Sequence, residues 1–136
     1  MTDVAKGTVL KLLVDLGHSC ESYQRTVLVS LPCQRIQCGE IWAFVYAKGR
    51  NVTPEMEQKG AGSVWTWTAL DADTKLMVAW FVGGRDAGFA HAFMHDVASR
   101  LANRVQLTTD GHLPYLTAVH DAFGGEDRLV AAGKSA

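Results

Sequence analysis

Two short segments hold the positions most able to act together: Gln37-Cys38-Gly39-Glu40-Ile41-Trp42 and Gln106-Leu107-Thr108-Thr109-Asp110-Gly111-His112. Each reads as a β-strand, and the carboxylate placed to act is Asp110, in the second. Carboxylate oxygens are hard ligands that suit Mg2+ or Mn2+, and such ions serve phosphoryl transfer by activating one oxygen and stabilising another. Other candidates are weaker. His91 and His95 stand at i and i+4, a spacing that can hold zinc, but no third ligand has matching spacing, and a solvated helix edge explains them as well. Asp71 and Asp73 occupy a turn between two strand-like runs, where acids usually accept local backbone amides. Cys20, Cys33 and Cys38 are odd in number and lack a CxxC pair, which argues against a disulfide framework or zinc knuckle.

The elements that must position these residues follow from periodicity. Val9, Leu12, Leu13 and Leu16 recur at helical spacing, with Thr8 as N-cap and Gly17 as C-terminal stop, so a short amphipathic helix is expected, covering one side of the core. From Ser19 to Pro32 the pattern weakens to a helical or irregular connection. Arg35 to Ala47 is apolar on both alternating faces, as in a long central strand covered on two sides. Lys48 to Gly62 is polar and rich in glycine, an exposed excursion. Ser63–Leu70 and Leu76–Val82 form a hairpin, Ala87 to Leu101 a helix, Arg104 to Asp110 a strand, and Pro114 to Phe123 a helix closed by Gly124-Gly125. The order β-β-β-α-β-α, with a right-handed crossover, returns the fourth strand parallel to the first and places position 39 near Asp110. Strand alternation then turns Glu40 to the opposite face, away from Asp110.

Composition adds bounds. The 136 residues suit one domain, 48% apolar and 20% charged. A net charge of -1 supplies no basic field, so tight DNA binding by this chain alone is not expected. No charged leader or membrane-length apolar run is present, and a cytoplasmic protein with no membrane contact is the expectation. Trp42, Trp65, Trp67 and Trp80 all fall in strands, which favours core or interface over base-stacking platforms.

From about Val4 to Gly124 the chain resembles DDE transposases of the bacterial insertion sequence 1 family. The runs that carry this are the two acid-bearing segments, Leu101-Ala102-Asn103-Arg104-Val105 leading into the second, Val64-Trp65-Thr66-Trp67, and Ala69-Leu70-Asp71-Ala72-Asp73-Thr74-Lys75-Leu76. The resemblance implies a ribonuclease H-like α/β domain over residues 33–136, preceded in 1–32 by the remnant of a helix-turn-helix whose Lys6, Thr8 and Lys11 would face DNA. It implies DNA cutting and joining with Mg2+ or Mn2+, through Asp110 and a first aspartate at the position that Gly39 holds here. His112 would touch a phosphate, orient a nucleophile, or serve only the loop. The family's third acid, a glutamate, lies on a helix beyond a fifth strand; the final strand and helix are expected to be missing or minimal, and Glu126 falls too early to replace that acid. A catalytically defective transposase relative is therefore expected, or a non-catalytic binding, regulatory or assembly module. Either would act as a homo-oligomer or pair with full-length transposase, because an incomplete sheet leaves an open edge.

Overall fold

The computed structural model describes residues 5–124 and the backbone of 129–134. Five strands form one mixed sheet in the order β3-β2-β1-β4-β5. β1 (Arg35–Val45), β2 (Gly62–Asp71) and β3 (Met77–Gly83) are an antiparallel meander, while β4 (Val105–Thr109) runs parallel to β1 and β5 (Leu129–Lys134) parallel to β4. A short fifth strand of six residues, β5, thus stands at the sheet edge. Glu126 lies outside the described residues.

The crossover from β3 to β4 is α3 (Ala87–Arg100), and α4 (Pro114–Phe123) follows β4. Both helices pack on one sheet face. Ile36, Cys38, Trp67, Ala69 and Leu107 from the strands meet Phe93, Met94, Val97, Tyr115 and Val119 from the helices in one core. Trp67 sits at its centre, fully buried and edge-on to Tyr115 at 5.3 Å, with its indole N–H donating to the Gly84 carbonyl at 2.9 Å. Full burial of a side chain that large contributes several kcal/mol.

Two expectations are corrected. α1 (Lys6–Val27) runs straight through Gly17, with Ala5 rather than Thr8 at its N-cap. An interior glycine costs about 1 kcal/mol, too little to stop a helix of 22 residues that gains Lys11–Asp15 and Arg25–Glu21 pairs one turn apart. Nor does α1 cover the core: none of its residues is buried. Only its C-terminal end is anchored, where buried Arg100, paired with Asp96 at 3.0 Å, donates to the Leu28 carbonyl at 3.3 Å. There Trp80 also donates its indole N–H to the Gln24 side chain at 2.8 Å.

The second correction concerns β1. Its first half is covered on one face only, by the helices over Ile36 and Cys38, while Arg35 and Gln37 on the other are exposed, and Ile41 to Tyr46 are exposed throughout. β4 pairs with β1 only from Arg35 to Gln37, so beyond Cys38 the strand keeps β2 as its one described neighbour. The polar excursion after it contains a further short helix, α2 (Pro54–Gln58), capped by the Thr53 side chain.

Candidate active site

At the carboxyl ends of the parallel strands the backbone does most of the positioning. β4 ends at Thr109, and the Asp110 carboxylate accepts the His112 amide at 3.0 Å, while Thr109 Oγ1 accepts the amide of Gly111 at 3.2 Å. Gly111, at φ 85°, takes the left-handed turn that lets the chain double back into α4. Across the cleft, Gly83 and Gly84 end β3. A Cβ on Gly83 would lie 2.2 Å from the Phe89 ring, so the chain can pass there only without a side chain. Asp86 then caps α3 by accepting the amides of Gly88 and Phe89, which holds Arg85 outward over the Trp65 ring, 4.4 Å from its centroid.

Into this frame comes Glu40, and here the sequence-based expectation is overturned. Ile36, Cys38 and Glu40 share the face that α3 and α4 cover, so Glu40 is carried inward and its side chain is only 1% exposed. Its carboxyl adjoins that of Asp110, with Arg85 Nε at 3.7 Å and His112 Nε2 at 3.9 Å. Alternation was right for Glu40 but not decisive for Asp110, which stands past the last residue of β4 and reaches over the strand end. Gly39 lies on the other face, where it and Asp110 border a cleft of about 350 Å3 with Gln37, Thr68 and Thr108. A Cβ at Gly39 would meet nothing within 4 Å. Asp110 is thus shared between the two faces.

The electrostatics are unusual for a surface carboxylate. Burial pushes Glu40 up to about 7, helped by a proton shared with Asp110 and by that neighbour's charge, and opposed by Arg85. Burial acts upward on Asp110 too, but the Glu40 proton, the His112 amide, and the charges of Arg85 and His112 outweigh it, leaving Asp110 below its ordinary range. The proton therefore belongs mainly to Glu40. No donor reaches either Glu40 oxygen at hydrogen-bonding geometry, and the buried Tyr115 hydroxyl also has no partner. Burial, then the charges of Cys38, Glu40 and Asp110, raise Tyr115, so its phenol stays protonated. The Cys38 thiol is likewise raised by burial and by Glu40, which makes it an inert core residue. The Tyr115 hydroxyl thus stays buried without a partner, within reach of the Glu40 charge.

The other candidates separate from this cluster. His112 belongs to it: its Nε2 lies 3.1 Å from the Arg85 carbonyl, which can only accept, so that nitrogen carries the proton. Lys6, Thr8 and Lys11 are exposed on α1 and bond to none of its members. His91 turns to Asp121 at 3.4 Å while His95 is exposed. Asp71 accepts the Thr74 amide at 3.1 Å, as a turn acid should. Among the described residues no three His, Cys, Asp or Glu side chains form a ready metal cage. Sequence reasoning missed Glu40, Arg85 and Tyr115. For Glu40 the signal was present, since it keeps step with Ile36 and Cys38. No protein-family model matches the chain, and no curated protein matches it.

Proposed function

We propose that this chain is a ribonuclease H-like domain related to DDE transposases of the insertion sequence 1 family, with Glu40 doing for its acidic pair what an aspartate at position 39 does in those enzymes. The observation that carries the reading is the Glu40 carboxyl, buried against that of Asp110 with no N–H or hydroxyl of another residue donated to either of its oxygens. Buried unpaired carboxyls cost stability and persist where an occupant uses them. The motifs around both acids, and the parallel pairing of β1 with β4 that brings them together, point the same way.

The donor set fits a divalent ion. Mg2+ is commonly held by one or two carboxylates with water and substrate phosphate completing its shell, so Glu40 and Asp110 would hold it. When bound, it supplies charge for the attacking and leaving oxygens of a phosphodiester. The chain's own residues do the rest. Asp110 offers an ionised carboxylate, and Glu40 releases its proton to become the second ligand. Arg85, half-exposed over Trp65, offers a guanidinium to a phosphate, and His112 braces that segment by donating its Nε2–H to the Arg85 carbonyl. Among the described residues two acids meet where the family uses three, and cutting by these two alone is not expected. The reading includes DNA as a partner only within an assembly.

α1 favours the companion reading of an assembly module. Val9, Leu13, Leu16, Cys20, Tyr23 and Val27 alternate in steps of four and three along one exposed face, the repeat of a coiled-coil seam. A second copy of this chain is the self-complementary partner for it.

The test is calorimetric titration of Mn2+ at pH 8. The native chain should bind weakly, Glu40→Gln and Asp110→Asn should abolish binding, and Gly39→Asp, which meets no clash, should strengthen it by adding a carboxylate on the far side of Asp110. Equal Mn2+ affinity in the native chain and Glu40→Gln would remove Glu40 from the site, and nicking of DNA by the native chain would overturn the defective reading.

A further inference from the structure

The candidate site opens along the sheet in one direction. Beyond Glu40 the same alternating face of β1 carries Trp42 and Phe44, and Tyr46 follows just past the strand's end. Trp42 is 43% exposed, Phe44 46% and Tyr46 81%. The opposite side of this stretch holds Ile41, Ala43 and Val45, so the aromatic and aliphatic side chains are sorted by face. Register puts Trp42 opposite Trp65, and ring centroids of Trp42 and Phe44 are 5.7 Å apart.

Cations interleave with these rings. Lys48 Nζ stands 5.9 Å from the Trp42 centroid and makes no ion pair among the described residues. Arg85 lies over Trp65 and also faces the Glu40 carboxyl. Lys59 and Arg50 lie nearby in the excursion, where Glu55 and Glu57 offset them, so Lys48 and Arg85 are the charges that count. From Glu40 to Phe44 the row is about 13 Å long.

We propose that this row binds an unpaired stretch of nucleic acid and leads it to the Glu40–Asp110 pair, with bases stacked on Trp42 and its aromatic neighbours and phosphates met by Lys48 and Arg85. This deepens the reading above and rests on it for what happens at the acids. Three observations select that occupant. Exposed rings on a strand accept base faces only when the bases are free of a duplex. A net charge of -1 gives too little attraction for a duplex held by phosphates alone, whereas stacking supplies affinity that needs little charge. The row is continuous with the buried acids through Glu40 itself. A second protein copy would be served better by the aliphatic side, Ile41, Ala43 and Val45.

The experiment uses the full chain in EDTA, at about 50 mM salt to preserve phosphate attraction, with an oligothymidylate of about twelve nucleotides. Tryptophan quenching and fluorescence anisotropy report binding, and the corresponding duplex is the comparison. Loss of one stacked base is worth about 1–3 kcal/mol, so Trp42→Ala should weaken binding about 5- to 150-fold, with Trp42→Phe largely restoring it. Lys48→Ala and Arg85→Ala should weaken it less and lower its salt dependence. Trp80→Ala is the control: Trp80 is 38% exposed but points to the other face, where Gln24 holds it, and its removal should leave affinity unchanged. No binding of the single strand at about 100 μM, a roughly millimolar-or-weaker limit far below what stacked bases give, would overturn the proposal. So would equal affinity for the duplex, an equal loss in Trp80→Ala, or a Trp42→Ala change in sedimentation mass without a change in oligonucleotide affinity, which would assign the face to a second copy. Because the assay contains no metal, oligonucleotide binding and Mn2+ binding by the native chain are measured apart, so the two readings can fail separately.

Discussion

Replacing Glu40 by glutamine should make the metal-free protein more stable at alkaline pH, and the size of the gain follows from the site. The carboxyl moves from an ordinary 4.5 to about 7 in the fold. At 1.36 kcal/mol for each tenfold change in proton affinity, that difference is about 3 kcal/mol. Its sign is fixed by which state holds the proton more tightly. The folded protein does, so the native fold has its full stability below pH 4.5, where both states are protonated, and loses it progressively as pH rises through about 7. Glutamine mimics the protonated acid, including an N–H that can be donated to Asp110, and it cannot ionise. Asp110 does not confuse the comparison, because its value is lowered from 3.8 and its effect falls at more acid pH. Urea unfolding of both proteins in EDTA between pH 4.5 and 8.5 gives the difference directly, provided the urea dependence is the same for both. The gap should be near zero at the acid end and reach up to about 3 kcal/mol above pH 7.5, or roughly 10 °C in melting temperature for a chain of this length. A gap that does not change with pH, or a variant less stable than the native chain at pH 8, would refute the argument that Glu40 is buried against its charge.

Three further outcomes follow from the same structure. Mn2+ affinity of the native chain should rise about tenfold per pH unit up to about 7 and level off above it, because Glu40 must lose its proton to bind; a flat profile by calorimetry would place the ion elsewhere. The exposed seam of α1 should make the protein dimeric in sedimentation equilibrium, with Leu13→Asp and Leu16→Asp giving monomers and mild oxidation linking Cys20 to Cys20 of a parallel partner. A monodisperse native monomer would count against it. Gly83→Ala should cost about 1–3 kcal/mol, measured by thermal unfolding, since its methyl would lie 2.2 Å from the Phe89 ring.

How far the sequence could be read depended on how local the governing force was. The hairpin of β2 and β3, the crossover α3 and the glycine end of α4 are written in short-range signals: alternation, the Asp71 turn, the Asp86 cap, and Gly124 at φ 65°. Gly17 misled because a stop signal is a preference of about 1 kcal/mol and the surrounding helix outvotes it. The exposure of Ile41 to Tyr46 was hidden for a different reason. An apolar strand looks the same whether its faces are covered or not, and here the core under α3 and α4 takes Ile36 and Cys38 from β1 and no later residue of it.

Glu40 is the instructive case, because the local rule was correct and the conclusion still failed. Alternation with Ile36 and Cys38 does carry it to the opposite face from Gly39. The mistake lay in extending the same rule to Asp110, which follows the strand and is held by the turn that its own carboxylate makes with the His112 amide. A side chain at a strand end can serve either face, and strand ends are where α/β sheets gather their ligands. An acid placed on the core face of the neighbouring strand, close to such an end, is therefore better judged by its burial than by its distance along the sequence from a motif position. In this chain that judgement moves the acidic pair from Gly39 and Asp110 to Glu40 and Asp110. It also ties the pair to the Trp42–Phe44 row, since the face that buries Glu40 is the one that exposes those rings two and four residues later.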